Sequence, residues 1–438
     1  MRWGEQSMMR PTEWLAHCLA HRCHACRKQR GQTLLIVLLL LGMAGAALVY
    51  GFSPTTASVR EHDRHTSAVL AQAREALIGR AVADVNRPGS LPCPDADNDG
   101  SADGPFPTDC TAYVGRLPWR TLGLPDLRDG SGERLWYVLS SNFRDYLNAG
   151  ALNPDTAGQL VVKNSAGTVV DNAAVAIVIA PGSVVGTQTR TPGTPDELNA
   201  GMYLDEENAN GDAIYASALV SPTFNDRLVY VSHDALFAGV STRVAKEVIS
   251  ALENYRAANH YYPAASPYTA GAPNYDCVPG QFQGYAPLNI QSTPPQDGCK
   301  KNWETGSSHG ILNQPQLPPW FADNNWNLFT HYSVARICTI DESAARALCD
   351  SDAYDPTGTL YPGTSPLTVT GVTTNARMLV IVSGPTRNGL ACTASTQCLE
   401  DAANSDGNNT YVKPSRFPAS NDHMALTCSA AAPCGVVP

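Results

Sequence analysis

The chain has 438 residues, with 40 acidic and 30 basic side chains and a formal net charge of −10. This acidic balance argues against a protein that binds nucleic acid through phosphate contacts. The length allows two or more domains, and a hydrophobic content of 43% is sufficient to build hydrophobic cores.

A long uncharged run follows a basic segment near the N-terminus. No charged residue occurs from Gln32 to Ser53. A cluster of four basic residues lies before it: Arg22, Arg27, Lys28 and Arg30. At about 1.5 Å per residue, a helix of this length can cross a bilayer core of about 30 Å. The positive-inside bias places residues 1–31 in the cytoplasm, so the sequence predicts a transmembrane helix over 32–53.

The order of basic segment, small residue and apolar run resembles the prepilin leader of type IV pilins and type II secretion pseudopilins. That resemblance implies cleavage by a prepilin peptidase between Gly31 and Gln32, with N-methylation of the new terminus. Pilins usually carry a Glu at the fifth mature position, where this chain has Ile36. The large tip pseudopilin of type II secretion also lacks this Glu, so the resemblance favours a minor or tip position. The alternative is an ordinary, uncleaved membrane anchor.

An amphipathic helix is predicted after the apolar run, from Ser58 to Asp84. Apolar residues recur there at spacings of three and four, and charged residues occupy the other positions. The apolar positions are Val69, Leu70, Ala73, Leu77 and Ala81. Pro88 and Gly89 end the helix. We therefore expect one long N-terminal helix with a membrane half and an amphipathic half.

A loop rich in aspartate follows this helix. The aspartates at positions one, three, five and nine of a calcium-loop pattern are Asp95, Asp97, Asp99 and Asp103. Gly100 occupies the sixth position, where a sharp turn points the oxygens at one hard cation. Phe106 stands at position twelve in place of a bidentate glutamate, so Asp109 or another segment would have to complete the shell. The alternative is a solvated turn closed by a disulfide between Cys93 and Cys110.

Ten of the 13 cysteines lie after the leader, and an even number agrees with disulfide bonds in an oxidising compartment. Their grouping suggests five neighbouring pairs: Cys93 with Cys110, Cys277 with Cys299, Cys338 with Cys349, Cys392 with Cys398, and Cys428 with Cys434. The alternative is a mixture that includes free buried thiols.

Six landmarks recur in the same order in the two halves, at offsets of about 195 to 204 residues. Each half contains a helix, a Leu-Pro-Trp-like segment (117–119 and 317–320), an aromatic strand (135–140 and 329–334), an apolar strand (177–182 and 380–385), an acidic loop (203–208 and 398–404) and an Asn-Asp pair (225–226 and 421–422). The repeat predicts a first pilin-like domain over 54–236 and a second over 237–438, whose helix spans 241–258.

These patterns predict an α+β fold. The long N-terminal helix would pack on a small antiparallel sheet, and a second tandem helix-on-sheet pilin-like domain would follow. By the same reasoning the protein would be a single-pass inner-membrane protein with a periplasmic or filament-exposed C-terminal part.

The resemblance implies a minor pilin or pseudopilin-like structural subunit of a type IV pilus or type II secretion filament. Its partners would be prepilin peptidase, other pilin subunits through the N-terminal helix, and the inner membrane. The alternatives are a pilus-displayed adhesin and a membrane-tethered periplasmic binding protein outside any filament. The sequence contains no Gly-x-Ser-x-Gly, His-Glu-x-x-His or phosphate-binding glycine motif, so we expect no enzyme activity and no cofactor other than calcium.

Overall fold

The computed structural model describes residues 36–43, 54–104, 106, 108–146, 148–268, 275–288, 298–299, 317–350, 366–384, 399, 401–404, 406–414, 420 and 422–428. Residues 1–63 and 64–438 are two separate compact units.

Four α-helices are described with defined bounds: α1 Pro54–Ala83, α2 His233–Asn259, α3 Pro319–Asp323 and α4 Ser343–Asp350. The five apolar residues at three and four spacing in α1 are all buried. The helix ends at Ala83 because the Asp84 carboxylate accepts hydrogen bonds from the backbone N–H groups of Asn86 and Arg87, at 2.8 and 2.7 Å. Ser232 is the N-cap of helix α2, and its hydroxyl accepts a hydrogen bond from the N–H of Ala235.

Thirteen strands are described. In the first half they are β1 Val114–Arg116, β2 Trp136–Leu139, β3 Leu160–Lys163, β4 Val169–Ala174, β5 Ala176–Ala180, β6 Ile214–Ala216 and β7 Arg227–Val231. In the second half they are β8 Gln283–Tyr285, β9 Thr330–Val334, β10 Leu367–Thr370, β11 Thr373–Val382, β12 Thr410–Val412 and β13 His423–Cys428.

The two halves use one strand order. In the first half the order β1-β2-β5-β7 is antiparallel throughout, and in the second half β8-β9-β11-β13 is antiparallel throughout. Each half adds a hairpin with a parallel third strand, β4-β3-β6 in the first and β11-β10-β12 in the second. The halves differ in that β4 and β5 are separate strands, whereas β11 runs through both places.

Equivalent side chains make equivalent hydrogen bonds in the two halves. The buried hydroxyl of Tyr137 on β2 donates to the carbonyl of Pro92 at 3.2 Å, and that of Tyr332 on β9 donates to the carbonyl of Pro263 at 2.8 Å. In both halves the central aromatic strand is therefore tied to the segment that follows the helix.

The parallel strands are held by an asparagine in each half. The side chain of Asn208 donates to the carbonyl of Ala216 at 3.1 Å and accepts from its N–H at 2.7 Å. The side chain of Asn404 makes the same pair with Val412, at 3.0 and 2.8 Å. A side-chain amide thus substitutes for a neighbouring strand at the end of β6 and of β12.

The two halves share one hydrophobic core. The same cluster of buried side chains contains Leu77 of α1, Val178 of β5, Val248 of α2 and Ile381 of β11. A smaller cluster lies on the other face of the first sheet, around Trp136. The boundary at 236/237 therefore separates two sheets but does not divide the core.

The predicted fold class is wrong in three respects. The described helix begins at Pro54, and no described helix joins it to the apolar run, of which the structure describes only residues 36–43, helical and exposed. Two of the three described sheets are mixed rather than antiparallel, because β6 pairs in parallel with β3 and β12 pairs in parallel with β10. Residues 64–438 form one compact unit instead of two tandem domains.

The predicted transmembrane helix and single-pass inner-membrane location must also be corrected. Within the described ranges, no helix combines the length and the apolar character needed to cross a bilayer. Helix α1 is long enough, at 30 residues, but its outer face carries charges at Glu61, Asp63 and Arg64.

Candidate functional site

The aspartate loop brings three carboxylates together. One oxygen each from Asp95, Asp97 and Asp99 lies within 4.8 Å of the others. Asp95 is buried, and Asp97 and Asp99 are exposed. Two carboxylates on the solvent side and one beneath them form an arrangement that a hard cation can reach from outside.

The sequence forces the chain into this loop. The backbone of Asp95 pairs with that of Arg116 on β1 in both directions, at 3.0 and 2.7 Å. The crossing is this close because Gly115 has no side chain; a Cβ there would lie 2.7 Å from the carbonyl oxygen of Asp95. Asn98 and Gly100 both have positive φ, at 65° and 93°, which turns the loop back on itself.

Burial and backbone hydrogen bonds shift the pKa values of Asp95 and Asp99 in opposite directions. Burial raises the pKa of Asp95 to about 6, although backbone hydrogen bonds from Gly100 and Asp99 oppose this shift. The pKa of Asp99 is lowered, first by the hydrogen bond from the N–H of Ser101. A buried carboxylate with a raised pKa gains from an adjacent cation, because the cation stabilises the ionised form.

The remaining acidic side chains of the loop have other partners. Asp103 accepts hydrogen bonds from the N–H groups of Ala96 and Asp97, at 2.5 and 3.2 Å, so its carboxylate closes the loop. Asp109 forms an ion pair with Arg144 at 2.7 Å. Of the four predicted ligands, the structure therefore groups Asp95, Asp97 and Asp99. The carboxylate of Asp103 is bound to backbone N–H groups of the loop instead.

Disulfides close this loop and two others. The structure contains the bonds Cys93–Cys110, Cys277–Cys299 and Cys338–Cys349. Cys428 is also disulfide-bonded. Cys392, Cys398 and Cys434 lie outside the described residues, as do the predicted processing residues Gly31 and Gln32. The bond from Cys93 to Cys110 encloses the aspartate trio and limits its freedom in the unfolded chain.

The sequence pattern did not reveal a second carboxylate arrangement, a reciprocal clasp between Asp205 and Asp226. The N–H of Asp205 donates to the Asp226 carboxylate at 2.8 Å, and the N–H of Asp226 donates to the Asp205 carboxylate at 3.2 Å. Burial raises the pKa of Asp226 to about 8. The available signal was the Asn-Asp pair at 225–226, which recurs at 421–422.

Three histidines, His260, His331 and His423, lie outside the aspartate loop and contact other parts of the fold. His331 is buried between Tyr268 and Tyr285, with ring centroids 5.5 and 5.8 Å away, and burial lowers its pKa to about 3. His260 ends α2 in the left-handed conformation, and His423 contacts the hydroxyl of Thr242 at 3.2 Å.

Comparison with known proteins yields no relative: no protein-family model matches the chain, no characterised protein matches its sequence, and no solved structure matches its fold. None of these comparisons bears on the resemblance to pilins, which stays a prediction.

Proposed function

We propose that the protein is a structural subunit of a prepilin-type filament, either a type IV pilus or a type II secretion pseudopilus, at or near the tip. The observation that carries this proposal is the order of basic segment, Gly31, Gln32 and apolar run, followed by an amphipathic helix. The partners would be prepilin peptidase and other subunits of the filament.

The folded unit has properties that suit such a role. One face of α1 is buried from Thr66 onward, whereas residues 58–62 are exposed. The shared core and the disulfides Cys93–Cys110, Cys277–Cys299 and Cys338–Cys349 hold the folded unit together. A displayed subunit in an oxidising environment benefits from covalent bonds of this kind.

The test is the mature N-terminus of the full-length protein, expressed with and without the prepilin peptidase of its host. We expect a chain that begins at Gln32 only when the peptidase is present, and we expect Gly31→Leu to block cleavage. Gly42→Leu, a matched glycine with open space around it, should still be processed. An identical intact chain in both strains would refute the proposal.

A second candidate, a filament-displayed adhesin, is favoured by a pocket of about 590 Å³. Aromatic and amide side chains line it, among them Phe106, Tyr146, Trp320, Asn86 and Asn148. Apolar faces with a few polar groups are the usual lining of small-ligand sites. Saturable binding of a glycan that Tyr146→Ala abolishes would support the adhesin, and an unoccupied glycan array would exclude it.

We also propose that the aspartate trio binds calcium. Metal-free protein should gain thermal stability on addition of Ca²⁺ and gain less with Mg²⁺, since the smaller ion requires a stricter octahedron. At ten times the Kd the gain is about 1.4 kcal/mol. Because protonation of Asp95, with its pKa of about 6, competes with the cation, the affinity should fall as the pH drops below that value.

The matched variants are Asp97→Asn and Asp196→Asn. The first removes a charge from the trio, and the second removes one from a 3-10 turn outside it. Calcium should stabilise the Asp196→Asn protein as it does the native protein, and it should stabilise the Asp97→Asn protein much less. Equal stabilisation of both variants would place calcium elsewhere.

A further inference from the structure

Strand β7 ends the first sheet, and its outer edge has no neighbouring strand among the described residues. The hydrogen bond from the N–H of Ser140 to the carbonyl of Val175 fixes which residues of β5 face β2. The backbone groups of successive strand residues point alternately to the two sides of a strand. In the register of β5 and β7, the N–H and C=O groups of Leu228 and Tyr230 therefore point away from the sheet. An exposed edge of this kind is a template for an added strand.

A groove of about 580 Å³ runs along this edge. Leu228, Val229 and Tyr230 form one wall, and the β3–β4 hairpin and the segment after β6 form the other. Leu219 and Val170, which line the groove, are 78% and 49% exposed. Val220 and Val169 extend this exposed apolar surface beyond the groove itself.

The charged side chains that line the groove are both basic, Arg74 and Lys163. Arg74 donates to the carbonyl of Tyr230 at 3.0 Å and also pairs with Glu75, and Lys163 pairs with Glu207 at 2.9 Å. Both cations therefore stand at the edge strand or its opposite wall. Their acidic partners, Glu75 and Glu207, do not line the groove, so the charges that face its interior are positive and favour an acidic occupant.

We infer that this groove binds an extended, acidic segment of a partner protein, which adds to the first sheet as a strand next to β7. Main-chain hydrogen bonds to both backbone groups of Leu228 and to the N–H of Tyr230, whose carbonyl is already bonded to Arg74, would give affinity. Alternate apolar side chains of the segment would cover Leu219 and Val170, and its carboxylates would face Arg74 and Lys163. The inference does not depend on the filament assignment.

The first experiment measures fluorescence anisotropy of labelled peptides of about six residues, a usual strand length, with alternating Val and Glu. The full-length protein should bind this peptide saturably. A version N-methylated on alternate residues, which lacks the donors for strand pairing, should bind at least about tenfold more weakly. A Val/Lys peptide should also bind more weakly. Hydrogen exchange should slow at the amides of Leu228 and Tyr230 when the Val/Glu peptide is bound.

The matched protein variants are Leu219→Asp and Leu198→Asp. Both leucines are strongly exposed, at 78% and 47%, so neither change should prevent folding, and Leu198 lies outside the groove. Leu219→Asp should weaken the Val/Glu peptide about fivefold or more, and Leu198→Asp should leave it unchanged.

Three results would overturn the inference: no saturable binding of the Val/Glu peptide, equal binding of its N-methylated form, or no effect of Leu219→Asp. Sedimentation of the protein alone tests the other occupant. A dimer that Leu219→Asp dissociates would show that a second copy of this chain, rather than an acidic partner, fills the groove.

Discussion

His331 is a polar side chain in an apolar place. Neither ring nitrogen has a hydrogen-bond partner within the described part of the chain, and the ring is buried among tyrosines. At the equivalent strand position, opposite β1 and β5, the first half has Trp136. Arg116 stacks on the Trp136 ring, with its Cζ 4.3 Å from the ring centroid. The two equivalent positions are therefore both buried, but one holds an indole and the other an imidazole.

Replacing His331 by Phe should stabilise the protein by about 1–3 kcal/mol at neutral pH, because it removes unsatisfied buried nitrogens. The folded-state pKa of about 3 lies below the ordinary value of 6.5, so the unfolded chain binds more protons between these values. Native stability should therefore fall as the pH drops from about 6.5 to 3, and the variant should lose less. Urea unfolding across this range checks both points; a destabilised variant would indicate an undetected partner of the imidazole.

Asp226 gives the opposite pH dependence. Its folded-state pKa of about 8 lies above the ordinary value of 3.8, so the folded chain binds more protons between these values, and stability should fall as the pH rises through that window. Asp226→Asn keeps an acceptor for the N–H of Asp205 and removes the charge, so at pH 9 it should be more stable than the native protein by roughly 2–4 kcal/mol. Urea unfolding of Asp196→Asn, which should keep the native profile, is the control. A native profile for Asp226→Asn would show that Asp226 does not cause the fall in stability with rising pH.

At the scale of elements, two glycines allow a crossing segment to pair with the edge strand of each main sheet. A Cβ on Gly115 would lie 2.7 Å from the carbonyl oxygen of Asp95, and one on Gly284 would lie 1.8 Å from that of Ser266. Either alanine variant should therefore cost roughly 3 kcal/mol or more, with the larger loss at Gly284. Gly79→Ala, in open space on α1, should stabilise by about 0.5–1 kcal/mol. Denaturant midpoints of the three variants measure these changes in stability. An alanine at Gly284 that costs little would mean that the segment at Ser266 can move away from β8.

Some elements could be predicted from the sequence because their signals are periodic. The burial of Leu70, Ala73 and Leu77 follows from a spacing of three and four, and the aspartates of the recurring Asn-Asp pairs, Asp226 and Asp422, directly precede β7 and β13. Strands β6 and β12 have three residues each, too few for a period, and side-chain amides of Asn208 and Asn404 hold them. The hydrogen bonds of these two asparagines leave no hydropathy pattern in the sequence. The parallel pairing of β6 and β12 was therefore not predicted.

The aspartate loop could also be predicted only in part. Spacing predicted that Asp95, Asp97 and Asp99 would converge, because a tight turn at Gly100 places alternate side chains on one side. The position of Asp103 depends on backbone donors at Ala96 and Asp97, which no spacing rule includes.

At the scale of the whole molecule, the main question is whether two repeated sheets behave as one body. Asn324, after α3, accepts a hydrogen bond from the N–H of Leu152 at 2.8 Å, and its carbonyl accepts one from the side chain of Asn153 at 2.9 Å. Arg243 of α2 donates to the carbonyls of Val82 and Asp84, just where α1 ends. These hydrogen bonds join the two halves, which also share one hydrophobic core. The halves are therefore connected by both polar and apolar contacts.

We therefore expect one cooperative unfolding transition, with equal calorimetric and van't Hoff enthalpies, rather than the two transitions of separate tandem domains. Asn324→Ala leaves the buried N–H of Leu152 without its partner and should cost about 1–3 kcal/mol while the transition stays single. Asn210→Ala, at an exposed loop position, should change stability by less than about 0.5 kcal/mol. Two resolved transitions in the native protein, or an Asn324→Ala variant that loses only one of them, would mean that the halves fold separately and that the shared core contributes little to their coupling.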